Sequence, residues 1–155
     1  MSAKSLVTLS VLGLAAGCGG PGQGAGDAGS GGGCAFPSQP FVSQATDGGR
    51  YELALRSCPD QPPARGQETV EYTITNPGGA PQDGLTVSVL PFMPAMGHGT
   101  SAQTTVTPTG GGKYVVGNVY FAMPGEWQLI TDIWAPGVPD AGPPTDSATI
   151  TVEIN

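Results

Sequence analysis

From residue 51 onward, apolar and polar side chains alternate one for one, and glycine and proline cut the alternation at regular intervals. Tyr51, Leu53 and Leu55 alternate with Glu52, Ala54 and Arg56. Val70, Tyr72 and Ile74 alternate with Thr69, Glu71, Thr73 and Thr75 until Asn76-Pro77-Gly78-Gly79 ends the run. Leu85, Val87 and Val89 follow, then a weaker run over residues 102–107 that stops at Pro108-Thr109-Gly110-Gly111-Gly112. Val115, Val119 and Phe121 share one parity, as do Trp127, Leu129 and Ile133. The last run sets Ala148, Ile150, Val152 and Ile154 against Thr149, Thr151 and Glu153. A period of two gives each strand one face to bury and one to wet. The pattern therefore predicts an all-β domain, an immunoglobulin-like antiparallel β-sandwich of about seven strands.

Composition fits that reading and adds an appendage. The 155 residues suffice for one domain with extensions, and 26 glycines and 16 prolines imply many turns. The first residues read as a secretory signal: Lys4 gives a positive start, residues 6–14 are apolar, and Ala15-Ala16-Gly17-Cys18 follows. That ending resembles the bacterial lipobox, with Ala15 where leucine is usual and Leu14 one step earlier. Residues 1–17 are thus expected to be a lipoprotein signal peptide and Cys18 to carry the lipid. Residues 19–33 hold nine glycines and nothing apolar larger than alanine. With Cys18 they are expected to form a flexible tether, residues 18–33, of about 20 Å root-mean-square reach. The folded domain is expected over residues 34–155.

Charge and cysteines narrow the setting. After cleavage, four basic residues face twelve acidic ones, a formal charge of −8. Such a surface repels nucleic acid and anionic headgroups, so attachment to a membrane falls to the lipid. No apolar run reaches the roughly 18 residues that a spanning helix needs. The expected location is therefore the bacterial cell envelope, on either membrane. With Cys18 lipidated, Cys34 and Cys58 remain, and in an exported chain they are expected to form a disulfide.

Candidate chemistry is concentrated in two short segments. Pro91-Phe92-Met93-Pro94-Ala95-Met96-Gly97-His98-Gly99-Thr100 contains the one histidine of the chain, and Phe121-Ala122-Met123-Pro124-Gly125-Glu126-Trp127 contains another methionine. Thioether sulfur and imidazole nitrogen suit a soft ion, Cu(I) above all. In a seven-strand alternation, the loop after the third strand and the turn after the fifth lie at the same end. Met93, Met96, His98 and Met123 are then candidate Cu(I) ligands. Met93 and Met123 also keep the inward parity of their strands, so packing at the rim of the core accounts for them equally well. Met96 and His98 sit in the loop itself, with glycine on both sides of His98. The opposite end, residues 76–84, 108–112 and 135–145, reads as loops without chemistry, with Trp134 as an exposed contact. A lone histidine with no nucleophile or paired acids assembles no catalytic constellation, so the chain is not expected to be an enzyme.

Met93-Pro94-Ala95-Met96-Gly97-His98, Gly112-Lys113-Tyr114 and Phe121-Ala122-Met123-Pro124-Gly125-Glu126-Trp127-Gln128-Leu129 together resemble the YtkA-like domain family, over roughly residues 51–155. That family is related to the FixH-like proteins of respiratory oxidase maturation. The resemblance implies an immunoglobulin-like sandwich on an exported, often membrane-anchored protein, with copper handling as a suspected role. FixH-like relatives carry a transmembrane helix, whereas this chain reads as lipid-anchored. Two functions follow: a non-enzymatic Cu(I) binder or carrier, or an interaction module contacting an unknown envelope protein through the methionine loop.

Overall fold

Two antiparallel sheets account for the alternation. The computed structural model describes residues 33–155; the expected signal peptide, Cys18 and the expected tether up to residue 32 lie outside the described residues. Nine strands follow in chain order: β1 (Val42–Ala45), β2 (Glu52–Cys58), β3 (Gly66–Thr75), β4 (Thr86–Met93), β5 (His98–Gly99), β6 (Thr105–Gly110), β7 (Lys113–Phe121), β8 (Gly125–Trp134) and β9 (Asp146–Ile154). One sheet has the order β1-β2-β3-β7-β6 and the other β5-β4-β8-β9. With the short β1 and β5 set aside, the remaining seven strands pair as the first, second, fifth and fourth on one sheet and the third, sixth and seventh on the other. This is the pairing of the constant-type immunoglobulin sandwich.

Inward parity builds the core. Leu53, Leu55, Val70, Tyr72, Ile74, Phe121, Trp127, Leu129, Ile133, Ile150 and Ile154 are buried almost completely. Phe121 and Trp127 meet edge to face, with centroids 5.5 Å apart and planes at 76°, the arrangement that the ring quadrupoles favour. Tyr72 reaches across to the other sheet and shares a 3.1 Å hydrogen bond with Thr131 Oγ1. Burial pushes its phenol pKa well up.

The strands differ from the sequence reading at the edges. β1 and β5 were not expected, because Val-Ser-Gln-Ala alternates only weakly and two residues have no period at all. The weak run at residues 102–107 shifts toward the C-terminus and becomes β6. It includes Pro108, which an edge strand tolerates because one side of its backbone has no ladder partner.

Cys34 and Cys58 form a disulfide with Cα atoms 5.8 Å apart. The segment after Cys34 is tied down beside it: Arg56 Nη1 donates to Pro37 O at 3.3 Å and Gln61 Nε2 to Gln39 O at 2.7 Å. The bond closes a loop of sequence separation 24. By the chain-entropy account, Cys34→Ser with Cys58→Ser is expected to lose about 3–4 kcal/mol of stability. Urea unfolding of the oxidised and double-mutant domains checks this, and equal midpoints would contradict it.

Candidate functional site

The methionine segment is a hairpin rather than an open loop. β4 ends at Met93, residues 94–97 turn, and β5 returns along β4, pairing Phe92 with Gly99 and Met93 with His98. The turn closes on backbone alone: Met96 N–H and Gly97 N–H both donate to Met93 O, at 3.1 and 3.0 Å, and Gly97 N–H also reaches Pro94 O at 3.2 Å. The two glycines flanking His98 do different jobs. Gly97 takes φ +69°, which L side chains rarely adopt. Gly99 lets β5 approach, since a Cβ there would stand 2.5 Å from Pro91 O. His98, expected in a loop, is therefore held in a strand.

Directly opposite residues of an antiparallel pair project to the same face of the sheet. His98 thus shares a face with Met93, whose side chain is buried, while His98 at the sheet edge stays exposed. His98 Nδ1 lies 2.9 Å from Gly99 O. A carbonyl only accepts, so Nδ1 carries the hydrogen and the Nε2 lone pair is left for another partner.

Met123 belongs to the turn joining β7 to β8, and the strand registers place this turn beside the hairpin. Phe92 pairs with Gln128, so β4 ends where β8 begins. The contact is direct: a Cβ on Gly125, which has φ +125°, would stand 2.9 Å from Met93 Cε. Trp127 Nε1 donates to Met123 O at 2.9 Å and fixes the turn, and the half-buried Met123 packs against the core. Met93 therefore stands between His98 across the ladder and the residue 123–125 turn. Met96 differs from both packed methionines, being 52% exposed. The connection between β2 and β3 lies at this end too, since Gly66 pairs with Phe121.

Sequence reasoning missed a carboxylate near these loops. Glu68 is buried on β3 with the same parity as Val70, Tyr72 and Ile74. Its Oε1 accepts from Ala64 N–H at 3.1 Å, while Oε2 has no hydrogen-bond partner among the described residues. Burial raises its pKa against the pull of backbone hydrogen bonds from Ala64 and Asp60. The same parity extends back to Glu68, directly before Thr69. An apolar groove lined by Phe41, Val42, Pro62, Pro63, Ala64 and Val152 opens beside this connection and shares no residue with the methionine hairpin.

The opposite end departs from the expectation of plain loops. Asp146 is a buried carboxylate that joins the β1–β2 turn to β9. Trp134, expected as an exposed contact, is 7% exposed and donates through Nε1 to Gly142 O at 3.0 Å. The loop carbonyl satisfies the one donor of its indole.

A family model described as YtkA-like matches residues 44–132, a span that contains Met93, Met96, His98 and Met123. Among curated proteins and among solved structures, no match was found.

Proposed function

This chain belongs to the YtkA-like family, and on that premise we propose that it is a non-catalytic, lipid-anchored cell-envelope protein that binds or carries Cu(I) through Met93, Met96, His98 and Met123. The observation that carries the reading is the position of Met93, paired with His98 on one side and touching Gly125 of the Met123 turn on the other. Donor chemistry supports it. Thioethers are soft, neutral and need no deprotonation, and the Nδ1 hydrogen bond of His98 leaves Nε2 as the ligating nitrogen. Among the described residues, no three His, Cys, Asp or Glu side chains gather as a metal-binding group. The thioethers of Met93, Met96 and Met123 are soft donors that suit Cu(I) rather than zinc or magnesium. The protein's part is to hold Met93 at the end of β4 and Met123 in the β7–β8 turn, and to present Met96 and His98 from the hairpin. Cu(I) titration of the purified domain against a competing chelator is the direct test.

An interaction module remains a second reading because of one observation. Two exposed large apolar side chains, Leu90 and Met96, both belong to the β4–β5 hairpin and its turn. Under that reading, an envelope protein docks on the hairpin and copper leaves the melting temperature unchanged.

Anchoring is tested apart from the metal. In a Gram-negative host the full chain is expected to enter the membrane fraction and to carry lipid mass on Cys18, and Cys18→Ser to abolish both. A soluble wild type with an unmodified Cys18 would overturn the anchor and leave the metal site to be judged alone.

A further inference from the structure

The three methionines of the domain differ sharply in access. Met93 is 6% exposed, Met123 is half-buried against the core, and Met96 is 52% exposed. The turn that carries Met96 is closed by three backbone hydrogen bonds, and none of them uses its side chain. More than half of the Met96 residue surface is open, and the backbone hydrogen bonds that close its turn do not need its side chain. Exposure governs how readily a methionine is oxidised. We propose that Met96 is a peroxide-sensitive modification site, and that its conversion to the sulfoxide switches off Cu(I) binding while leaving the sandwich intact. The switching part rests on the Cu(I) reading above; the selectivity of oxidation does not.

The chemistry balances with a peroxide as oxidant. A sulfur lone pair attacks one peroxide oxygen, the O–O bond breaks, an S–O bond forms and water leaves. Sulfur is oxidised by two electrons and the peroxide is reduced by two. The product presents a polar, harder oxygen in place of a soft thioether, a poor donor for Cu(I). The same reaction at Met93 would force that polar group into the core between β4 and the residue 123–125 turn. The burial of Met93 and the partial burial of Met123 direct the reversible lesion to the turn.

The test treats the metal-free protein with hydrogen peroxide and follows each methionine by peptide mass spectrometry. Met96 sulfoxide is expected to form about tenfold or more faster than sulfoxide at Met93 or Met123, as access dictates. The singly oxidised protein is expected to keep its melting temperature and to bind Cu(I) as weakly as Met96→Ala. A methionine sulfoxide reductase should restore binding, while Met96→Leu, which lacks the thioether, should lose the fast-forming sulfoxide and bind Cu(I) equally weakly before and after peroxide. Equal oxidation of Met93 would overturn the selectivity, and an oxidised protein that holds Cu(I) like the native one would overturn the switch. If the unoxidised protein binds no Cu(I), the metal reading and the switch fall together, while the oxidation rates still decide whether Met96 is the reactive position.

Discussion

Replacing Met96 and His98 together by alanine is expected to weaken Cu(I) binding by about a hundredfold or more, roughly 2.7 kcal/mol, while leaving the fold in place. Both side chains are exposed, and the hairpin is held by backbone hydrogen bonds and by the Met93–His98 pairing, which alanine preserves. The packed methionines need a different substitution. Met93→Ala would open a cavity and cost about 2–5 kcal/mol whether or not the sulfur binds metal. Met93→Leu conserves volume at about 1.5 kcal/mol or less and removes only the thioether. It is expected to fold and to bind Cu(I) more weakly than wild type. Chelator competition, with thermal unfolding of each variant in parallel, separates lost ligands from lost structure. A double mutant that competes as well as wild type would leave the interaction module as the surviving reading.

The parts of this site that were legible in sequence are those that strand parity controls. Leu85, Val87, Val89 and Met93 share one parity, so the inward course of β4 and the burial of Met93 follow from spacing alone. An even alternation of strands likewise brings the turn at Met123 to the same end. What spacing cannot give is the return of the chain after Met96. A two-residue strand has no period, and the reason that His98 pairs rather than loops is local: Gly99 lets β5 lie against Pro91. The lone oxygen of Glu68 and the burial of Trp134 are tertiary facts of the same kind. Each depends on which loop closes over it, and neither Ala64 nor Gly142 announces that role in the sequence.

A large loss of stability is also expected from replacing Asp146, a residue that no pattern along the chain singles out. Its side chain accepts four hydrogen bonds: Oδ1 from Gly48 N–H at 2.7 Å and Ser147 N–H at 2.9 Å, and Oδ2 from Thr46 Oγ1 at 2.6 Å and Arg50 N–H at 3.0 Å. Three of those donors belong to the β1–β2 connection on one sheet, and Asp146 opens β9 on the other. One carboxylate thus clips the two sheets together at the end opposite the candidate site. Gly48 is required here, because a Cβ would stand 2.8 Å from Oδ1. Asp146→Ala removes the acceptor of these four donors, of which the Thr46 hydroxyl lies on a buried residue, and is expected to cost about 2–3 kcal/mol, enough to lower the melting temperature by roughly 10 °C in a domain of this size. Asp146→Asn keeps one accepting oxygen but turns an amide N–H toward the Arg50 N–H, so it should recover only part of the loss. Acid sensitivity follows from the same contacts. Burial pushes the carboxyl pKa up, and the hydrogen bonds from Thr46, Arg50, Gly48 and Ser147 more than reverse this, leaving it below the ordinary 3.8. A folded pKa below the unfolded one means that the stabilisation is complete above pH 4 or so and drains away as pH falls through the lowered value. Wild type should therefore lose stability steeply below about pH 4, and Asp146→Asn, with no proton to bind there, should follow a shallower acid limb from a lower plateau. Urea midpoints from pH 2 to pH 7 for the two proteins decide the matter, and parallel curves would show that Asp146 contributes no charge-dependent stability.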